Sequence, residues 1–187
     1  LLHDDPSGVR ADLALLDILQ AAGRLSRANT ERILLFGFSG GAQFSHRFVF
    51  AHPKRVFSAV HVSAGWYTFP TETDRYPRGV KPGRSAIDLD VISAFGVRQH
   101  VLVGEEDVDR DSSLRQNKWL DESQGRTRVE RAGRWVDAMA AAAPSGEGPS
   151  FELLPGVAHS FAEAVEISSL PRRVFDLFTR DVKTALV

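Results

Sequence analysis

The amino-acid sequence predicts an α/β protein that has a mostly parallel sheet with helices on both faces. Short apolar runs of strand length recur along the chain, at residues 33–36, 56–62, 100–104 and 151–154. Amphipathic or alanine-rich stretches of helical length separate these runs. Strands that alternate with helices favour a parallel sheet covered on both sides, since each crossover returns the chain to the same edge of the sheet.

The spacing of apolar residues predicts where the helices lie. The first helix is expected to follow a turn at 5–8 and to end near Gly23. The run at 33–36 is rich enough in large side chains to predict a strand buried on both faces. The apolar stripe of the first helix runs over 9–19, and further helices are expected at 42–51, 88–95, 114–120 and 128–143, with a closing helix through Val174, Phe178 and Val182.

Composition limits the classes of function. The 187 residues, 43% of them hydrophobic, predict one domain over 1–187 with a substantial core. A net charge of −1 gives no electrostatic reason to expect nucleic acid or an anionic membrane as a partner. The chain has no cysteine, which excludes disulfides and thiolate chemistry. No apolar run approaches membrane-spanning length, and the acidic start does not resemble a signal peptide, which favours a cytoplasmic location.

The most informative stretch joins the first apolar run to the helix after it. Residues 37–41 read Gly-Phe-Ser-Gly-Gly and match the pattern G-x-S-x-G. A strand, a sharp turn that carries serine and then a helix is the setting of a nucleophile elbow, with Ser39 as the nucleophile. Side chains at Gly37 and Gly41 are expected to collide where strand and helix meet. The Gly40 N–H, at the helix start, is the expected oxyanion donor.

The motif alone also fits a glycine-rich turn without chemistry. The dinucleotide-binding pattern G-x-G-x-x-G and the Walker pattern both fit poorly, because the required glycine spacing and the Gly-Lys-Ser/Thr sequence are missing. Metal binding is not expected, since no His-Glu-x-x-His motif or cluster of histidines and carboxylates occurs. No cofactor is needed for the chemistry that a serine nucleophile performs.

Further residues with reactive side chains follow the later strands. In parallel sheets the functional groups commonly lie beyond the carboxyl ends of the strands. An acidic loop follows the strand at 100–104, and His159 follows the last strand after a glycine-containing turn. A serine hydroxyl needs a base to take its proton, imidazole can do so near neutral pH, and a carboxylate must orient the imidazole. His46, His52 and His61 are predicted to be structural. Asp107 and Asp109 are both candidates for the acid.

Three signatures together resemble those of the α/β-hydrolases. They are Gly-Phe-Ser-Gly-Gly at 37–41, Val-Leu-Val-Gly-Glu-Glu-Asp at 101–107 and Pro-Gly-Val-Ala-His at 155–159. The elbow and the His-Pro-Lys-Arg-Val at 52–56 are similar to bacterial esterases near the polyhydroxyalkanoate-depolymerase and dienelactone-hydrolase branches. The resemblance implies a serine esterase with a small-molecule ester substrate. It selects Asp107 as the acid, with Asp109 next, because the family's acid usually stands three residues after the glycine.

The segment 63–83 holds aromatic residues among prolines, without periodicity, and is expected to be a lid or cap loop. The family commonly inserts cap elements there, so Trp66, Tyr67 and Phe69 are candidates for the walls of an acyl pocket. They fit equally well as side chains that pack the loop onto the core.

The resemblance also implies that the front of the fold is missing. In the family several strands precede the elbow strand, and the loop after the third of them supplies a second oxyanion donor. No candidate for these elements precedes Ile33. We therefore expect an N-terminally truncated α/β-hydrolase fold whose elbow strand is an exposed edge. Such an edge predicts self-association, or complementation by the missing segment. An inactive hydrolase-like fragment with a structural or partner-binding role, a serine peptidase and a thioesterase are the alternatives to an esterase.

Overall fold

The computed structural model describes residues 10–83 and 87–186. They form a four-stranded parallel sheet in the order β1-β2-β3-β4. The strands are β1 at Ile33–Phe38, β2 at Val56–Val62, β3 at Arg98–Gly104 and β4 at Ser150–Leu154. Since every pair is parallel, all four carboxyl ends lie at one edge of the sheet. The predicted α/β fold class is confirmed.

Helices connect the strands and cover the sheet. Within the described residues they are α1 (Ala11–Ser26), α2 (Gly40–Ala51), α3 (Val91–Ala94), α4 (Lys118–Ser123), α5 (Arg128–Ala142), α6 (Phe161–Glu166) and α7 (Leu170–Ala185). The predicted turn at 5–8 and residue 9 lie outside the described residues. The first helix continues beyond Gly23 and ends where Arg27 takes a left-handed backbone conformation, with φ 56°.

In the second half of the chain one helix prediction was wrong and one helix was missed. The predicted helix at 114–120 begins only at Lys118, because the Asp111 carboxylate accepts hydrogen bonds from the backbone N–H groups of Ser113 and Leu114 and keeps the chain in a turn. Asn117 then caps α4 by accepting from the Leu120 N–H at 2.8 Å. The sequence also did not reveal α6, a short helix capped by Ser160.

Two cores lie on opposite faces of the sheet. Successive residues of a strand point to opposite faces, so Ala59 packs into one core and Val60 into the other. The larger core joins the sheet to α2 and α5 through Val101, Val103, Phe48 and Trp135. The smaller core joins it to α7 through Val62, Leu102, Leu170 and Val174. This two-sided burial holds the carboxyl ends of the strands in fixed positions.

The strand β1 departs from this pattern. Leu34 is 46% exposed and Phe36 is 39% exposed, so the prediction of a strand buried on both faces was wrong. Leu35 packs against the larger core and Phe38 against the smaller one, but α7 packs against β2 and leaves Leu34 and Phe36 of β1 exposed. In the described residues β1 is an outer strand of the sheet, as the sequence predicted.

The loop at 63–83 is attached to the core at its beginning. Residues 63–68 are buried. The Thr68 N–H donates to His46 Nε2 at 3.0 Å, and the Trp135 indole N–H donates to the Thr68 carbonyl at 2.8 Å. The later part forms turns nearer the surface. The lid function remains a prediction. No helix in the described part of the chain is long and apolar enough to cross a membrane.

Candidate active site

The turn between β1 and α2 carries Ser39 in a strained conformation. Its backbone has φ 52° and ψ −111°, a region that residues with a side chain rarely adopt. A Cβ at Gly37 would stand 2.3 Å from the Gly41 carbonyl oxygen, so only glycine fits there. A Cβ at Gly41 would meet no atom within 4 Å, which makes the steric role predicted for Gly41 wrong. The close approach that the turn requires occurs at Gly37.

Backbone contacts fix the serine at the carboxyl edge of the sheet. The Ser39 N–H donates to the carbonyl of Val62, the last residue of β2, at 2.8 Å. Gly40 is the first residue of α2, so its N–H has no partner within the helix and carries the partial positive charge of the helix start. Its role as an oxyanion donor remains a prediction.

Three of the predicted site residues lie in one hydrogen-bonded series. The His159 Nδ1–H donates to Asp107 Oδ2 at 2.8 Å, since an ionised carboxylate can only accept. The other ring nitrogen, Nε2, then accepts from the Ser39 hydroxyl at 3.0 Å. The imidazole is therefore held in the tautomer that can take a proton from the serine.

The loops that carry the acid and the histidine are bound to each other. Backbone N–H groups of Glu105 and Glu106 donate to the carbonyls of Leu154 and Val157, both at 3.0 Å. A Cβ at Gly104 would stand 2.2 Å from the Val157 carbonyl oxygen, so glycine is required for this approach. The contact between the two loops brings side chains 52 positions apart in the sequence within hydrogen-bonding distance.

The two candidate acids differ in burial. Asp107 is 1% exposed and contacts His159, whereas Asp109 is exposed and makes no contact with the histidine. Of the two, Asp107 alone has the position that orienting the imidazole requires. Its catalytic role remains a prediction.

A buried arginine that the sequence did not reveal holds the other oxygen of this carboxylate. Arg128, in the first turn of α5, is 1% exposed and donates from Nη1 to Asp107 Oδ1 at 3.0 Å. Its Nη2 donates to Ser113 Oγ at 2.7 Å. A buried carboxylate is stable only with partners of this kind. A single arginine at a helix start gives no sequence signal for this role.

The histidine is also held by packing. The ring of Phe38, the variable residue before the elbow serine, stacks on the His159 ring at 5.5 Å between centroids and 25° between planes. The Phe161 ring packs edge-to-face against the Phe38 ring, with 5.3 Å between the ring centroids. These contacts limit the rotation of the imidazole between serine and carboxylate.

The three aromatic candidates for the pocket occupy different environments. Tyr67 is completely buried, stacks on Trp135 at 4.9 Å and donates its N–H to Gln124 Oε1. These contacts agree with the second of its two predicted roles, in which it packs the loop onto the core. Phe69 is half-buried against the same core. Trp66 lines a surface cavity of about 240 Å³.

Two further histidines are neutral structural residues. His46 donates from Nδ1 to the Ala42 carbonyl, accepts at Nε2, and burial holds its pKa well below the usual value. His61 donates from Nε2 to Gln99 Oε1 and accepts at Nδ1, and burial lowers its pKa to about 4. Among residues 10–83 and 87–186 no group of three or more histidines and carboxylates is arranged to hold a metal ion.

Comparison with known proteins identifies the superfamily. No protein-family model matches the sequence, and no curated protein matches it. The chain is similar to LpqC, a poly(3-hydroxybutyrate) depolymerase from Bordetella parapertussis, with a TM-score of 0.67 and 25% identity. That protein is an α/β-hydrolase. This chain belongs to the α/β-hydrolase superfamily. The alignment covers 80% of this α/β-hydrolase and 52% of LpqC.

A second solved structure supports the fold of this α/β-hydrolase. It is poly(aspartic acid) hydrolase-1 from Sphingomonas sp. KT-1, with a TM-score of 0.71 and 24% identity, over 83% of this chain and 60% of that one. The α/β-hydrolase described here therefore spans between about half and three fifths of these two proteins. The predicted superfamily is confirmed, and the roles of Ser39, Asp107 and His159 are taken up below as a proposal.

Proposed function

We propose that this chain carries the reactive centre of a serine hydrolase that cleaves a carboxylic ester through an acyl-serine intermediate. The observation that carries the proposal is the series in which Asp107, His159 and Ser39 are joined by hydrogen bonds of 2.8 Å and 3.0 Å. The strained backbone of Ser39 supports it, because a nucleophile elbow stores this kind of strain.

Acylation of Ser39 follows from this geometry. Ser39 Oγ attacks the ester carbonyl carbon while His159 Nε2 takes the hydroxyl proton. The carbonyl oxygen becomes an oxyanion, towards which the Gly40 N–H is the candidate donor. The tetrahedral intermediate then breaks its bond to the leaving alcohol, which receives the proton from Nε2. A water molecule repeats the cycle on the acyl-serine and releases the acid.

The buried carboxylate supports the histidine during both steps. Asp107 accepts from His159 Nδ1 and stabilises the imidazolium that forms when Nε2 takes a proton. Arg128 holds the second oxygen of Asp107, so the carboxylate keeps its plane towards the imidazole. This arrangement acts in acid–base chemistry without a metal ion or an organic cofactor.

An ester is preferred over other acyl compounds as the substrate. The named activity of LpqC, the depolymerisation of poly(3-hydroxybutyrate), supports ester cleavage. The same series of residues could also act on a peptide or a thioester, because the acyl-serine step is common to all three. A serine peptidase and a thioesterase are therefore the enzymatic alternatives, and turnover on matched activated esters, amides and thioesters distinguishes them.

Covalent labelling tests the proposal directly. A fluorophosphonate probe should modify the wild-type chain at Ser39, and Ser39→Ala should abolish the labelling. His159→Ala should slow it by several orders of magnitude, on the order of 10⁴ or more, because the unactivated hydroxyl is a poor nucleophile. Ser45→Ala, at another serine of α2, is the matched control and should label normally. Equal labelling of the Ser39→Ala chain would refute the assignment.

A second candidate function is that of a hydrolase-like fragment that binds a partner without catalysis. The observation in its favour is the exposed apolar pair on β1, where Leu34 and Phe36 are 46% and 39% exposed. Loss of one oxyanion donor reduces turnover by roughly 10²–10³-fold, so catalysis at Ser39 with the Gly40 donor alone would be slow. A chain that binds a partner but never reacts at Ser39, alone or in the complex, would favour this candidate.

A further inference from the structure

A surface cavity of about 240 Å³ has a lining that combines two arginines with two tryptophans. We call it the Arg–Trp cavity. One wall comes from the loop after β2 and holds Trp66 and Arg78. The other wall comes from the segment after β3 and holds Arg115, Asn117 and Trp119. The cavity therefore lies between segments that begin at the carboxyl ends of neighbouring strands.

The arginines of the cavity are oriented by the tryptophans. The guanidinium carbon of Arg78 lies 4.3 Å from the centroid of the Trp119 ring, and that of Arg115 lies 5.6 Å from the centroid of Trp66. A guanidinium group above a ring keeps its N–H donors directed outwards in its own plane. Asn117 Oδ1 already accepts from the Leu120 N–H, so the Asn117 NH₂ group remains as a further donor.

The cavity has positive charge without a matching negative charge. Its lining includes no acidic side chain. Among the described residues no carboxylate lies within ion-pair distance of Arg78 or Arg115. Asp121, on the neighbouring helix α4, already pairs with Arg110 and Arg131. An anion in the cavity would thus meet donors that lack another acidic partner.

A third cation contacts one of the two tryptophans. Arg47 of α2 is fully buried, with its guanidinium carbon 4.3 Å from the Trp66 ring centroid. Its Nη2 has no hydrogen-bond partner within the described residues. Burial chiefly, and the charge of Arg115 to a smaller extent, lower the pKa of Arg47 to about 10. The repulsion between Arg47 and Arg115 would be relieved by an anion bound near Trp66.

Buried contacts connect the cavity to the candidate active site. Arg131 Nη1 donates both to the Gly65 carbonyl, at 2.6 Å, and to the Arg115 carbonyl, at 3.0 Å, which joins the two walls. Val62, whose carbonyl accepts from the Ser39 N–H at 2.8 Å, stands four residues before Trp66. One wall of the cavity therefore belongs to the loop that leaves the strand bonded to Ser39.

We propose that the Arg–Trp cavity is a subsite for a carboxylate carried by the substrate, and that the chain acts on anionic esters in preference to neutral ones. This inference rests on the proposed function and names its substrate class. A carboxylate has the planar pair of acceptors that matches a guanidinium group. The aromatic walls take the aliphatic chain that separates the carboxylate from the scissile ester.

Binding tests the subsite independently of turnover. The Ser39→Ala chain, which cannot consume an ester by this mechanism, is titrated with monomethyl adipate, dimethyl adipate and inorganic phosphate by calorimetry. The monoester should bind at least about tenfold more tightly than the diester, because a charged hydrogen-bonded pair contributes that much. Arg78→Gln and Arg115→Gln should each reduce this preference by about tenfold.

The matched control removes the same charge at the opposite edge of the sheet. Arg180→Gln changes an exposed arginine of α7 next to Asp181, whose side chain bonds Ser58 and His100 near the amino ends of β2 and β3. This variant should keep the full preference for the monoester. Equal binding of the two esters, or an equal loss in the control, would overturn the subsite. Phosphate that displaces the monoester at equal affinity would overturn its assignment to a carboxylate.

Turnover separates this inference from the proposed function. The ratio of kcat/KM for mono-p-nitrophenyl adipate to that for p-nitrophenyl hexanoate should exceed one and should fall about tenfold in Arg115→Gln. Reaction at Ser39 with a ratio of one would refute the subsite and leave the serine hydrolase intact. Selective binding of the monoester by a chain that never reacts at Ser39 would refute the hydrolase and the preference in turnover, and would leave the cavity as a carboxylate-binding site.

Discussion

At the scale of the residue, the identity of the acid depends on burial and contact. Asp107 and Asp109 are of the same type and lie in the same loop, but Asp107 alone reaches His159. Asp107→Asn should slow fluorophosphonate labelling by roughly 10²–10⁴-fold, because the amide can hold the imidazole in the wrong tautomer. Asp109→Asn is the matched control and should react like the wild type. Labelling rates of the two variants provide the measurement, and a larger loss in Asp109→Asn would reverse the assignment.

The Arg128 side chain gives a second prediction at this scale. Arg128→Gln leaves the Asp107 carboxylate buried with one fewer charged partner, which should lower the free energy of unfolding by about 3–5 kcal/mol. It should also lower kcat more than it changes KM, because Arg128 acts through the acid and does not line the Arg–Trp cavity. Arg128→Lys should recover part of the stability and part of kcat, since lysine keeps the charge without the forked geometry.

The control for Arg128 is an arginine in a more exposed ion pair. Arg110 pairs with Asp121 at 2.8 Å, and each side chain is 25% exposed. Solvent screens such a pair, so Arg110→Gln should change the free energy of unfolding much less than Arg128→Gln does. Urea unfolding of Arg128→Gln and Arg110→Gln measures the two changes in the free energy of unfolding. A similar small effect in Arg128→Gln would show that Asp107 does not depend on the guanidinium.

At the scale of the element, a second series of serine, histidine and aspartate attaches α7 to the sheet. Asp181 accepts from Ser58 Oγ and from His100 Nε2, and Ser150 Oγ donates to His100 Nδ1 at 2.6 Å. The two serines lie within β2 and β4, near the amino ends of the strands, and neither occupies a strained turn before a helix. The same residue types thus serve structure at one edge and form the candidate site at the other.

This network predicts a large effect on stability. Asp181→Ala leaves the hydroxyl of Ser58 and one nitrogen of His100 without their buried partner, so the free energy of unfolding should fall by about 2–4 kcal/mol. Asp176→Ala, on the same helix, breaks only the exposed ion pair with Arg172. It should change the free energy of unfolding by less than about 0.5 kcal/mol. Urea unfolding measures both values, and equal effects would contradict a structural role for the network.

At the scale of the whole molecule, stability should fall in acid because of buried neutral histidines. The folded-state pKa of His61 is lowered to about 4, and that of His46 also lies well below 6.5. Between pH 6.5 and 4 the unfolded chain therefore binds more protons, and the free energy of unfolding declines as the pH falls. His61 alone should account for a loss of about 3 kcal/mol by pH 4.

Unfolding by urea at several pH values checks this prediction. The His61→Gln variant is the comparison. It should be less stable than the wild type at neutral pH, because Ser45 and Gln99 lose their hydrogen-bond partner. Its stability should decline less steeply below pH 6.5, because the buried imidazole is gone. A wild-type stability that is constant between pH 7 and pH 4.5 would contradict the buried neutral state of these histidines.

The sheet edge predicts association between molecules. The side chains of β1 are all apolar, and an outer strand without charges invites pairing with another chain. We expect the 187-residue chain to sediment as a self-associated species, and Leu34→Lys combined with Phe36→Lys to favour the monomer. Ile92→Lys, at a 71% exposed position on α3, is the control and should not change the sedimentation. A wild-type chain that is monomeric at high concentration would refute the prediction.

The amino-acid sequence by itself determined where the strands lie along the chain and which residue is the candidate nucleophile. Local patterns carry this information: apolar runs predict strands, and Gly37-Phe38-Ser39-Gly40-Gly41 between a strand and a helix predicts the elbow. These features depend on neighbouring residues, which is why their patterns are visible without coordinates. The position of β1 as an outer strand was predicted only through the resemblance to the α/β-hydrolases and not from a local pattern.

The tertiary structure decided which distant side chains meet. The position of Arg128 against Asp107, the burial of Tyr67 and the exposure of Leu34 all depend on how helices pack on the sheet. The Arg–Trp cavity likewise lies between two loops that are far apart in the sequence and that Arg131 joins by hydrogen bonds. No local pattern encodes such contacts, because burial is a property of the assembled layers and arginines with different surroundings look alike in a sequence.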